Sequence, residues 1–103
     1  MRPEFGWILA TVPAASIRIE FVSERHEVVD YSVVLLWGEE GEQHAVRLYD
    51  GSHGVNEMHR YSRSAGKQRP EVFHHGTLGE GMRTAIRQIE DGYEEMIRSW
   101  QRT

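Results

Sequence analysis

The 103-residue chain has no cysteine. That excludes a disulfide framework and any thiolate metal site, and it suits a reducing cytosol. No apolar run approaches the ~20 residues needed to cross a bilayer as a helix. There is no low-complexity tract and no linker, so the expectation is one cytoplasmic domain spanning residues 1–103. A P-loop, a G-x-G-x-x-G and a G-x-S-x-G are all missing, which removes the common phosphate cradle, the dinucleotide fingerprint and the nucleophile elbow. Six histidines are present, yet none are spaced as H-x-x-x-H or H-x-H. No metal and no cofactor are expected. The opening MRPEFGWILATVPAAS has a basic residue before an apolar run, but Gly6 interrupts the run and Glu4 stands where positive charge is wanted. It is expected to be retained rather than cleaved as a signal peptide.

The net charge of −4 argues against broad coating of nucleic acid. Its distribution is uneven: residues 1–50 carry nine acids and four bases, whereas residues 51–103 carry seven acids and eight bases. His53, His59, His74 and His75 fall with Arg60, Arg63, Lys67 and Arg69 in one stretch. That stretch reads either as ordinary solvated charge or as a local patch that attracts anions.

Alternation organises the first three-quarters of the chain. SIRIEFV (16–22) places Ile17, Ile19 and Phe21 on one side and Arg18 and Glu20 on the other, the pattern of a half-buried strand. VVDYSVVLLW (28–37) ends apolar on both faces, as a covered central strand does. HAVRLYD (44–50) and VNEMHRYS (55–62) flank the turn GSHG, and EVFHH (71–75) follows Pro70 as an edge strand. Thr77 and Glu80 form a capping box before a stripe of Leu78, Met82, Ala85, Ile86, Ile89, Tyr93, Met96, Ile97 and Trp100. The expected architecture is α+β: an antiparallel meander of four to five strands over residues 16–75, with one long C-terminal amphipathic helix, about 78–100, packed on one face. One helix covers one face only, and the uncovered apolar face leads to an expected homodimer.

The chemistry-bearing residues concentrate in RLYDGSHGVNEMHRY (47–61). Strand periodicity of two puts Arg47 and Tyr49 on one face, and Glu57, His59 and Tyr61 on one face of the next strand. The hairpin register is open. Placing Met58 with Val46 and Leu48 on the apolar side favours Arg47 and Tyr49 opposite His59 and Tyr61. The alternative register puts Met58 and Arg60 on that face instead. An Arg, a His and a Tyr together would supply a fixed cation, a proton carrier and a weakly acidic hydroxyl, the parts of metal-free phosphodiester chemistry. The catalytic candidates are His59, Arg47 and His53; Tyr49, Asp50, Tyr61 and Arg60 are candidates for substrate binding. Asp50 and His53 capping a turn, with the rest as cross-strand pairs, is the bland counterpart.

The pattern R-x-Y-D-x-x-H-G at Arg47, Tyr49, Asp50 and His53, with His59 downstream and an amphipathic helix to follow, resembles the TumE-type toxins of bacterial toxin–antitoxin pairs. Here Leu48 separates Arg47 from Tyr49, and Glu57 stands where a second histidine would be expected. The resemblance implies a toxin-like protein acting on RNA or a nucleotide, with a cognate antitoxin or another protein as partner. The expectation from a different class is a non-catalytic inhibitor or adaptor that docks a partner through its sheet face or edge.

Overall fold

Runs of β-branched and aromatic residues between short polar turns build a sheet in which most strands pair with their neighbours in sequence. The computed structural model describes residues 3–9, 12–39 and 41–103. Strands β1 (Glu4–Ile8), β2 (Ala15–Glu24), β3 (Glu27–Trp37), β4 (His44–Asp50) and β5 (Asn56–Ser62) form an antiparallel meander. The short β6 (Gly66–Lys67) and β7 (Glu71–His74) both pair with β5. Helix α1 (Leu78–Gln101) packs against β3, β4, β5 and β7.

The α+β class, the antiparallel sheet and the packed C-terminal helix match expectation. The sheet is larger than expected, with seven strands rather than four or five, and it starts at Glu4 rather than residue 16. Every residue of β1 is exposed and Gly6 sits in its middle, so no alternation marks it. Pairing with β2 makes it a strand, and Phe5 stacks on Phe21 with ring centroids 5.8 Å apart. β6, at two residues, is shorter than any periodic pattern can reveal.

The β2–β3 hairpin turns through Arg25 and His26, both with positive φ (51° and 68°). Two central residues with positive φ are the requirement of a type I′ turn, which suits the right-handed twist of the flanking strands. Ile17, Ile19, Tyr31, Val33 and Leu35 then share one face of β2 and β3, and all five are buried. Helix α1 seals that face with Ala85, Ile89, Tyr93, Ile97 and Trp100. A fully buried aliphatic or aromatic side chain contributes about 1.5–3 kcal/mol, so this stripe readily offsets the ~1 kcal/mol that each helical glycine costs.

The helix begins where the capping box places it. The Glu80 amide donates to the Thr77 hydroxyl at 3.1 Å, and the Thr77 amide donates to the Glu80 carboxylate at 2.8 Å. The bond from the Thr77 amide, and then one from its side chain, holds the Glu80 carboxyl below its ordinary pKa. Gly81 has a packing reason, since a Cβ there would lie 1.8 Å from Asn56 Oδ1.

Candidate functional site

β4 carries an irregularity that decides where its side chains point. Leu36 pairs with Ala45, whereas Leu35 pairs with Arg47, so Val46 is an extra residue in β4. Val46 stays in the core, and alternation restarts after it. Arg47 and Tyr49 consequently share the helix-covered face with Val33 and Leu35, while Leu48 and Asp50 take the other. On β5, Arg47 pairs with Arg60, Leu48 with His59, Tyr49 with Met58 and Asp50 with Glu57.

This register corrects the expected constellation. Arg47 and Tyr49 stand opposite Arg60 and Met58, not opposite His59 and Tyr61. The reason is burial: Tyr49 is fully buried and Met58 nearly so, and two large side chains under the helix outweigh one Leu48. The candidates separate onto two faces of the hairpin.

On the face away from the helix, His59 Nε2 lies 3.6 Å from Asp50 Oδ2, with each side chain 12% exposed. His59 Nδ1 lies 3.0 Å from the Gln68 carbonyl oxygen, and the Ser52 hydroxyl donates to Asp50 Oδ1 at 3.2 Å. Both ring nitrogens therefore face acceptors of the protein itself. The arrangement fixes the imidazole and ties the 66–70 segment to the sheet. Burial, and then the Asp50 charge, pushes the Tyr61 phenol above its ordinary pKa. His53 lies exposed in the turn, where the Gly54 amide donates to the Gly51 carbonyl at 3.0 Å.

On the helix face, Arg47 and Arg60 occupy directly opposed strand positions. Arg60 pairs with the Glu71 carboxylate, and both of those side chains are at least half exposed. Arg47 is half-buried, and its Nε is buried without a hydrogen-bond partner among the described residues. The Tyr49 hydroxyl donates to Gln88 Oε1 at 3.0 Å. Burial raises the Tyr49 pKa even though a bond from Arg47 and the charges of Arg47 and Arg60 act to lower it. A cleft of about 260 Å³ opens beside the two arginines, lined also by Gln68, Ser99, Trp100 and Thr103.

Like charges directly opposite on a sheet are destabilising. Here one carboxylate serves Arg60, at a position where solvent weakens the pair. The geometry holds positive charge beside an opening, which is what an anion site requires. Among the described residues, no group of three or more His, Asp or Glu is placed to hold a metal ion. Among the described residues, no helix is long and apolar enough to cross a membrane.

A family model described as a domain of unknown function, DUF7718, matches residues 5–103. The chain belongs to that family. No curated protein and no solved structure matches it. The DUF7718 match spans every element from β2 to α1, so the arginine cleft and the Asp50–His59 pair both lie inside the family's own domain.

Two site features had no sequence signal. The opposition of Arg47 and Arg60 depends on register, and the Gln68 carbonyl beside His59 is backbone, silent in any motif. A basic patch was visible around residues 60–69, but not its alignment with Arg47.

Proposed function

We propose that this protein binds RNA or a nucleotide through its phosphate, and acts in the cytoplasm as a toxin-like component of a bacterial toxin–antitoxin pair. One observation carries the reading: Arg47 and Arg60 are paired across the hairpin at a cleft, with Arg47 Nε buried and unpartnered among the described residues. A guanidinium matches phosphate oxygens with two parallel donors, and a bound phosphate would relieve the repulsion between the two cations. The half-exposed Glu71 carboxylate is a weak competitor that an incoming phosphate displaces.

Arg47 and His59 lie on opposite faces of the hairpin, so they do not act together on one phosphate. In this reading Arg47 and Arg60 hold the ligand. Asp50 and His59 brace the hairpin that carries them.

The test is equilibrium binding of a short single-stranded RNA to wild type, Arg47→Met, Arg60→Met and His59→Ala, beside growth on induced expression of each. Both Met variants should fold and lose at least tenfold in affinity, His59→Ala should still bind, and growth arrest should follow binding. Wild-type affinity in both Met variants would defeat the reading. A second reading, a non-catalytic adaptor docking a partner by its sheet edge, is favoured by β1, where Phe5, Trp7 and Ile8 are exposed.

A further inference from the structure

A second hollow, of about 480 Å³, adjoins the arginine cleft and shares Tyr61, Ser62 and Trp100 with it. Its volume falls in the range of roughly 300–1,000 Å³ typical of small-molecule sites. Flat groups converge on it. Trp37 and Trp100 have ring centroids 5.8 Å apart, His44 and Trp100 5.4 Å apart, and the Arg63 guanidinium carbon lies 5.5 Å from the Trp100 ring centre. Arg63 is held in place, because its Nη1 donates to the Gln101 carbonyl at 3.2 Å and its amide donates to Thr103 Oγ1 at 2.9 Å. Gln43, His44 and Ser62 add hydrogen-bonding edges to the aromatic wall.

Charge sharpens the picture. The chain has a net charge of −4 with sixteen Asp and Glu, yet the described residues lining the two hollows include none of them. They include Arg47 and Arg60 in one and Arg63 in the other. A basic cleft, whose neighbouring acid is the half-exposed Glu71 on Arg60, adjoins an aromatic hollow, and together they offer the two halves that recognise a nucleotide: cations for the phosphate and π-faces for an unstacked base.

We infer that the hollow formed by Trp37, His44, Tyr61, Arg63 and Trp100 receives the base of a single, unpaired nucleotide whose phosphate lies between Arg47 and Arg60. This rests on the phosphate reading above and adds the substrate class. The ligand is a nucleoside phosphate, free or at the end of a single strand. A duplex does not fit, because its bases are stacked and paired and cannot enter a side hollow. Inorganic phosphate fills only half of the site.

The experiment uses the full chain in a Trp7→Phe background, so that emission comes from Trp37 and Trp100. Four probes are titrated: inorganic pyrophosphate, a nucleoside monophosphate, a single-stranded pentanucleotide RNA, and the same RNA annealed to its complement. The monophosphate and the single strand should quench the emission and bind about tenfold or more tighter than pyrophosphate, the scale of one base stacked on an aromatic group. His44 lies at an exposed position, so His44→Ala should leave the fold intact. It should bring nucleotide affinity down toward that of pyrophosphate while leaving pyrophosphate unchanged, and Trp37→Leu should do the same. A pentanucleotide that outcompetes the monophosphate points to strand ends as the source; equal affinity points to free nucleotides. If pyrophosphate binds as tightly as the nucleotides and His44→Ala changes nothing, the base site is overturned while the arginine site stands. If no probe binds, both fall.

Discussion

Tyr31 donates its hydroxyl proton to Asn56 Oδ1 at 2.7 Å, across 25 residues of sequence. The same Asn56 donates from Nδ2 to the carbonyls of Gly76 and Thr77, each at 3.2 Å. Both residues are 1% exposed, so this one amide joins β3, β5 and the helix entrance inside the protein. Replacing Asn56 with Leu would strand a buried hydroxyl and two carbonyls, and each such group costs about 1–3 kcal/mol. We expect Asn56→Leu to lower unfolding free energy by at least ~3 kcal/mol in urea melts. Gly81→Ala should be destabilising for the complementary reason, since its methyl meets Asn56 Oδ1. A wild-type urea midpoint in either variant would contradict this view of the junction.

Alkaline pH should weaken the fold. Burial, and then the Asp50 charge, raises the pKa of Tyr31 and of Tyr61, and burial raises that of Tyr49. A phenol with a raised folded pKa contributes stability that is fully present below the unfolded value of about 10 and is lost as pH rises above it. Urea midpoints should therefore hold to about pH 9 and fall beyond pH 10. Tyr31→Phe, less stable at neutral pH for want of its bond to Asn56, should show a shallower alkaline fall. Parallel falls in the two proteins would assign the effect elsewhere.

The turn at Arg25 and His26 is open to improvement. Non-glycine residues at positive φ carry a steric cost of roughly 1 kcal/mol each, and Asn-Gly is the preferred pair for such a turn. The double substitution Arg25→Asn, His26→Gly should raise stability by about 1 kcal/mol without altering the nucleotide binding proposed above, because both residues are exposed and line neither hollow. A lowered melting temperature would show that these side chains make contacts worth more than the strain.

We propose that two copies associate. The helix covers Tyr31, Val33 and Leu35, leaving Val34, Leu36 and Leu48 half-buried on the opposite face beside an edge strand that exposes Ile8 at 79%. Light scattering at tens of micromolar should return twice the 12.0 kDa chain mass, and Ile8→Arg should halve it. A monomer at that concentration removes the proposal.

The helix was legible in full, because a capping box and a stripe repeating by threes and fours leave one solution. β2 and β3 were legible for a similar reason, since alternation and β-branching agree there. β1 was not, for its residues are exposed on both sides and hide no periodic face. The candidate site was legible as a composition and illegible as an arrangement. Alternation read through Val46 assigns Arg47 to the wrong side, and only the pairing of Leu35 with Arg47 exposes the extra residue. A bulge leaves little trace in one sequence, because the residue it inserts is apolar and buried like its neighbours.

The helix that seals the sheet comes after every strand it covers. A ribosome making this protein therefore releases Ile17, Tyr31, Val33 and Leu35 well before Ile89 and Ile97 exist to meet them. For that interval the nascent chain carries an apolar surface with no lid, the form most exposed to aggregation and to chaperone capture. Slowing translation across residues 78–101 would lengthen that interval.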